Sequence, residues 1–243
     1  MRIRDRFPET SWTLLANARK RTDEGARARD DFAHRYYRPV LEFLLVLVQD
    51  SEQARELAQD FFVRLTAPGG ILERANPERG ALRDFLQKVL RNLVIDCHRR
   101  DRKRDLETHP DQASAGAWEL MEIAGYSTAE AAFHQAWVKV TLAEALSRVR
   151  GLCNKRKQDI HLDLFEARYL TEVHPPPTWE ELGARHGLDQ VAARDRADTV
   201  ARHFRLVLRR MLRNEIAVAD GRHQVIDAAI DEEIRALLSP LKD

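Results

Sequence analysis

Between Arg79 and Arg104 the chain carries Arg79, Arg83, Lys88, Arg91, Arg99, Arg100, Arg102, Lys103 and Arg104 against only Asp84, Asp96 and Asp101. Cations at this density suit a polyanion, because each phosphate they neutralise releases condensed counterions. The apolar residues of the segment explain how the charges would be presented. Leu82, Phe85, Leu86, Val89, Leu90, Leu93 and Cys97 recur at three- and four-residue spacing and form one face of a helix. Arg83, Gln87, Lys88, Arg91, His98 and Arg99 point away from it, and Ile95 shares that polar side. A solvated amphipathic helix also shows a charged face. The run Arg99-Arg100-Asp101-Arg102-Lys103-Arg104 tips the balance toward nucleic acid.

A second constellation follows Pro175-Pro176-Pro177. Thr178-Trp179-Glu180-Glu181 has the spacing of a capping box, so a helix should start there. Leu182, Ala184 and His186 lead into Gly187-Leu188-Asp189, a short turn with glycine where a left-handed residue is often needed. Asp189 can cap the next helix, whose buried stripe is Ala193, Ala197, Val200, Phe204, Val207 and Met211. Asp195, Asp198, Arg202, Arg205 and Arg209 lie opposite. The pattern is that of a helix-turn-helix, although a plain αα-hairpin satisfies it too. Asp195 and Asp198 would repel a phosphate backbone, yet a carboxylate can accept a hydrogen bond from a cytosine amino group.

A third surface precedes both. After a cap at Asp50 or Ser51, with Gln53 placed to reach back, the spacing turns Ala54, Leu57, Ala58, Phe61 and Leu65 toward a core. Glu52, Glu56, Gln59 and Val63 then face outward. That mixed acidic and apolar surface suits a protein partner, not phosphate.

The elements that must carry these residues are helices throughout. Leu, Ala, Arg and Glu dominate, Pro and Gly are few, and alternating strand-type runs are nearly absent. Helices are expected from near Thr10, from about Glu24 to Leu47 with a bend at Pro39, after Asp50 until Pro68-Gly69-Gly70, and after Gly80. Residues 105–127 lack periodicity and read as a linker in which Trp118, Leu120 and Met121 could dock. Helix resumes at Thr128, read as an N-cap, and another covers Lys155 to Leu170. Three further pieces complete the chain, the last from about Gln224 to Leu238. The fold class is therefore all-α, with two helical domains: residues 1–104 and 128–216, joined by 105–127 and followed by a tail, 217–243.

Order and spacing carry a resemblance. Tyr36-Tyr37-Arg38-Pro39-Val40, then Ala54 through Phe62, then Asn76-Pro77-Glu78-Arg79-Gly80 through Leu86, followed by Asn92, Asp96 and Arg99-Arg100, resemble the first core-binding domain of an RNA polymerase sigma factor. The unit from Trp179 to Arg213 resembles the second sigma domain, the one that binds the upstream promoter element. Asn214-Glu215-Ile216-Ala217 and Asp231-Glu232-Glu233-Ile234-Arg235 resemble the tail of the extracytoplasmic-function (ECF) branch of the sigma-70 family. The resemblance implies that Glu52, Glu56, Gln59, Phe62 and Val63 engage the clamp helices of the largest subunit of core RNA polymerase. It implies that Lys88, Arg91, Asn92, Asp96, Arg99, Arg100, Arg102 and Lys103 contact the downstream promoter element and help to melt it. Gln190, Arg194, Asp195, Asp198 and Arg202 would contact the upstream one. Promoter DNA and core polymerase are then the partners, an anti-sigma or other regulatory protein is a further one, and no cofactor is needed.

Other classes fit less well. No Gly-rich phosphate loop or nucleophile motif occurs, and Cys97-His98 diverge by about 100° on a helix with no second ligand pair. An enzyme is not expected. No apolar run approaches the roughly 18 residues of a membrane span. The basic start Met1–Arg6 precedes no apolar stretch, and the two cysteines read as reduced thiols of a cytoplasmic protein. A net charge of +1 excludes a chain that is basic throughout, not one with a local patch. The alternative reading is a helix-turn-helix DNA-binding regulator acting without core polymerase. It would leave the Glu52–Val63 face unexplained.

Overall fold

The computed structural model describes residues 11–67, 70–71, 82–108 and 117–215, with backbone alone for 11–13, 66, 101–108, 117–125 and 213–215. Among the described residues there are eight α-helices and no strand: α1 (Ser11–Ala18), α2 (Asp23–Val48), α3 (Ser51–Thr66), α4 (Leu82–Thr108), α5 (Ala117–Lys155), α6 (Asp159–Tyr169), α7 (Trp179–Arg185) and α8 (Gln190–Glu215). The chain divides into two compact units, one reaching Val140 and one starting at Thr141, so α5 contributes to both.

The first unit is built on α2. Thr22 caps its start by accepting from the Gly25 amide at 3.2 Å, and Gln49 ends it in the left-handed region with φ 55°. Arg29 Nη1 donates to the Ala18 and Lys20 carbonyls, closing the C-terminus of α1 against α2. The bend expected at Pro39 is not a break: the proline is buried inside one helix that runs on to Val48. Pro39 has no N–H to donate, and the packing of its neighbours, Tyr36, Val40, Phe43 and Leu44, all fully buried, holds the helix through it.

Asp50 caps α3 as anticipated, its Oδ1 accepting from the Glu52 and Gln53 amides at 2.8 Å each. Both α3 and α4 pack on α2 and on each other. The buried faces are the predicted ones: Ala54, Leu57, Ala58, Phe61 and Leu65 on α3, and Leu82, Leu86, Leu90 and Leu93 on α4. Phe85, Val89 and Cys97 are only half-buried, and Val94 takes a core place that the sequence pattern had not assigned. Phe133 and Trp137 of α5 complete this core, Phe133 meeting Phe43 edge-on at 6.4 Å.

Two boundaries differ from expectation. The segment read as a linker is largely helical, since α4 continues to Thr108 and α5 begins at Ala117. Thr128 therefore lies inside a helix and is no N-cap. Ala, Glu, Leu and Met before it are strong helix formers, and an existing helix propagates more readily than a new one nucleates. The tail read at 217–243, the Asn76–Ala81 motif and the docking of Trp118, Leu120 and Met121 lie outside the described residues or side chains.

In the second unit the turn chemistry follows the sequence closely. Thr178 Oγ1 accepts from the Glu181 amide at 3.2 Å while Glu181 Oε2 accepts from the Thr178 amide at 2.8 Å, a complete capping box. These bonds to the charged carboxylate hold Glu181 below the ordinary glutamate range. Gly187 takes φ 65°, and Asp189 Oδ1 accepts from the Ala192 amide at 2.7 Å to start α8. Upstream, Arg168 Nη1 donates to the Pro176 and Pro177 carbonyls and its guanidinium lies 5.4 Å from the centre of the Trp179 ring.

The turn also depends on a glycine that the sequence pattern passed over. Gly183 is buried in α7, and a Cβ there would stand 2.6 Å from the Leu188 carbonyl oxygen. The returning chain can approach this closely only over a bare Cα. Gly183→Ala should therefore lower the unfolding free energy of the second unit by about 1–3 kcal/mol. Urea unfolding followed by the Trp179 indole resonance checks this; an unchanged midpoint would contradict the close approach.

Candidate nucleic-acid and protein interfaces

The one-sided burial of α4 leaves Lys88, Asn92, Asp96, Arg99 and Arg100 exposed along the first unit. Toward the end of the helix they acquire a neighbour from α3. Arg64, Asp96, Arg99 and Arg100 line one open groove. Arg64 is held by Asp60 through two contacts, Nε to Oδ1 at 2.8 Å and Nη2 to Oδ2 at 2.7 Å. Arg100 Nε donates to the Asp96 backbone carbonyl at 3.2 Å, which steers its guanidinium back along the helix. Three arginines and Asp96 thus line one groove, with Arg64 already paired with Asp60. Such a surface favours an anion, and it is open enough for an extended chain of phosphates. Sequence reasoning missed Arg64, because its i,i+4 spacing to Asp60 reads as an ordinary helix ion pair.

Arg91 stands apart from that group. It is half-buried, forms an ion pair with Glu130 of α5 and places its guanidinium 5.1 Å from the centre of the Tyr126 ring. Arg83 similarly lies 4.9 Å from the Trp137 ring centre. The cations near the start of α4 are therefore drawn to α5, and those near Arg99 face the groove. Arg102 and Lys103 lie on α4, but their side chains are outside the described residues.

On α3, Glu52, Glu56, Gln59 and Val63 are exposed as anticipated, Val63 at 66% despite being apolar. Phe62 is half-buried and stacks with Tyr37 of α2 at 6.0 Å, while Phe61 beneath it is fully buried. Tyr37, itself exposed, extends this apolar surface across two helices. The sequence pattern gave Tyr37 no such place.

In the second unit, Tyr169, Arg194, Asp195, Asp198, Thr199, Arg202 and Arg205 line a polar groove along α8. Gln190 is exposed at the helix start. Asp198 faces Arg194 at 3.8 Å, and Arg202 Nη2 donates to Thr199 Oγ1 at 3.1 Å. The aspartate that was expected to repel phosphate is thereby partly offset by its own neighbour. Among the described residues Asp195 has no such ion pair, although it shares the groove with Arg194, Arg202 and Arg205. The buried stripe is the predicted one with two changes: Val207 is half-buried, and Ala201, Leu208 and Leu212 join it.

His203 on α8 and His161 on α6 both sit below the ordinary histidine range. For His203 the causes are burial first, then Arg156, Arg202 and His161; for His161 they are burial, then Arg196. Burial raises the Cys153 thiol, the largest of the influences on it.

Residues 32–104 match the family model for sigma-70 region 2. The match covers α2 from Phe32, all of α3 and α4 as far as Arg104, so it contains both the basic groove and the exposed α3 face. No curated protein and no solved structure matches the chain. No helix among the described residues is long and apolar enough to cross a membrane.

The lowered histidines make the second unit acid-sensitive. Its folded form binds fewer protons than the unfolded chain once the pH falls below the unfolded value, 6.5. The stability they contribute is complete above that value and is lost as the pH falls through the lower folded-state range. Urea midpoints of the second unit should therefore decline below about pH 6.5, and the double variant His161→Gln, His203→Gln should flatten the decline. A parallel decline in the variant would remove the histidines as its cause.

Proposed function

We propose that this chain is a sigma factor of the ECF type, which binds core RNA polymerase and directs promoter recognition and transcription initiation. The observation that carries the reading is the sigma-70 region 2 match, because it falls on the helices bearing two separate surfaces of different chemistry. The exposed face of α3, with Glu52, Glu56, Gln59, Val63 and its Phe62–Tyr37 edge, binds the clamp helices of the largest polymerase subunit. Its carboxylates and uncovered apolar groups fit a protein and would repel a phosphate chain.

The groove of Arg64, Arg99 and Arg100, with Lys88, Asn92 and Asp96 along the same helix, holds the downstream element as its strands separate. Single-stranded nucleic acid is held in such basic channels with strong salt dependence. Arg91, engaged by Glu130, contributes less than its position in the sequence suggested. The second unit acts as a helix-turn-helix on the upstream element, with Gln190, Arg194, Asp195, Asp198 and Arg202 toward the bases. No catalytic step or cofactor is required, and the protein works in the cytoplasm, where an anti-sigma protein would control it.

Run-off transcription with core polymerase tests the reading directly. A regulator acting without polymerase would bind DNA but fail both to co-purify with core enzyme and to support run-off transcripts. Reversing Arg99 and Arg100 to Glu should abolish promoter opening, read by permanganate reactivity of unpaired thymines, with core binding unchanged. An equal fall in core binding would remove the assigned role of that groove.

Gln59→Ala with Val63→Glu should weaken association with core polymerase at least about tenfold, a loss of roughly 1.4 kcal/mol. The thermal transition should not move, because both side chains are exposed. Unchanged affinity would exclude this face from the interface.

A further inference from the structure

One flank of α4 is covered by α5, and the cover falls on cations that would otherwise be open to a nucleic acid. Arg83 lies 4.9 Å from the centre of the Trp137 ring, and Arg91 lies 5.1 Å from that of Tyr126 while pairing with Glu130. The order of these partners reverses between the two helices, so this stretch of α5 runs back along α4. It is firmly seated. Ala129, Phe133 and Trp137 are buried, and Phe133 meets Phe43 of α2 edge-on. Glu130 is thus carried to Arg91 by an anchored helix, and only the side chains at the contact remain to move.

By position Arg91 belongs with the exposed row of α4. Helix neighbours three and four residues apart share a face, which sets Arg91 beside Lys88 and Ile95, and Arg99 follows Ile95 by four. Lys88 and Arg99 are both exposed. The contact that withholds Arg91 from this row is incomplete. Glu130 engages it at Nη2, while Arg91 Nε is buried and has no hydrogen-bond partner among the described residues. A bidentate oxyanion can satisfy two donors of one guanidinium at once, and a buried donor without an acceptor weakens the state that contains it. The paired side chains are also 35% and 37% exposed, and ion pairs so open to water are weak. Arg91 is held, but loosely enough to be exchanged.

We propose that Glu130 and Tyr126 form an autoinhibitory latch on Arg91, occupying its guanidinium in the free chain and giving it up to a phosphate of a bound single strand. Carboxylate and phosphate offer Arg91 the same kind of oxygen, so the two compete for it. The exchange needs no movement of α5, only rotation of the Arg91 and Glu130 side chains. Its effect is to set the affinity of α4 for phosphates below what the cations of the helix would give together. The latch rests on the reading of α4 as a nucleic-acid surface and adds to it a restraint internal to the chain.

The test titrates full-length protein with a fluorescent single-stranded oligothymidine over a series of chloride concentrations. Glu130→Gln keeps the size of the side chain and removes its charge. It should raise affinity about two- to fivefold, the range of an exposed ion pair. The slope of log affinity against log salt should steepen by up to about 0.7, the value for one phosphate of a single strand. Arg91→Gln should erase that gain in the Glu130→Gln background and cost far less in the wild-type chain. A gain that survives loss of Arg91 would mean that Glu130 merely repels the strand, and no gain would mean that Arg91 is not withheld; either overturns the latch. The Arg91 Nε–Hε resonance reads the contact with no substitution at all. It should move saturably as oligothymidine binds, and a resonance unmoved at saturation also overturns the latch.

Reversing Arg99 and Arg100 to Glu separates the latch from the reading beneath it. Oligothymidine binding that is lost in this variant puts the strand on α4. Binding that is retained removes α4 as the nucleic-acid surface, and the latch with it. Binding that needs Arg99 and Arg100 but is indifferent to Glu130 leaves the surface standing and removes only the latch.

Discussion

The burial of one face of α4 governs what the first unit can present. Leu82, Leu86, Leu90, Leu93 and Val94 are held against a core that α2 and α3 also line. Each buried leucine is worth about 1.5–3 kcal/mol relative to exposure. Advancing the helix by a single residue position would put Arg83, Gln87 and Arg91 where Leu82, Leu86 and Leu90 stand, and an unpaired buried charge costs several kcal/mol more. The hydrophobic face thus fixes the azimuth of Lys88, Asn92, Asp96, Arg99 and Arg100. Because α3 is fixed in the same way, Glu52, Glu56, Gln59 and Val63 are held outward on a different side of the same small core. Two surfaces of opposite character can then coexist on adjacent helices.

The second unit divides its chemistry by flanks of one helix. The buried stripe of α8 anchors it, the groove of Arg194, Asp195, Asp198 and Arg202 occupies one side, and Arg196 with His203 occupies another. The local turn that positions α8 is short and heavily bonded: a capping box, a glycine at φ 65°, and an aspartate cap within a dozen residues. A bare Cα at Gly183 lets the returning strand of chain close over α7. Small changes there would re-aim every side chain of α8.

Legibility in the sequence followed the range of the interaction. The heptad-like spacing of α4, the Asp50 cap of α3 and the Thr178–Glu181 box were readable because each involves residues within one or two turns. The helices found at 105–108 and 117–127, where no periodicity was read, went unseen for a related reason. Weak apolar periodicity there removed the signal, while helix propensity, which the pattern ignores, continued α4 and started α5 early. Cys97 was expected in the core and His98 at the surface; the structure leaves the thiol half-buried and the imidazole exposed.

By itself, then, the amino-acid sequence determined the all-α class, the faces of α3, α4 and α8, the caps and turn of the second unit, and the ordered motifs of the segment that matches the sigma-70 region 2 model. All of these are encoded by spacing along one element. Only the tertiary structure decided that Arg64 joins Arg99 and Arg100, that Arg91 is drawn to Glu130, that Tyr37 widens the Phe62 edge, and that Arg156 meets His203. Those pairings join residues far apart in the chain. They depend on how helices pack, and side-chain type and periodicity say which face a residue occupies but not what another helix brings to it.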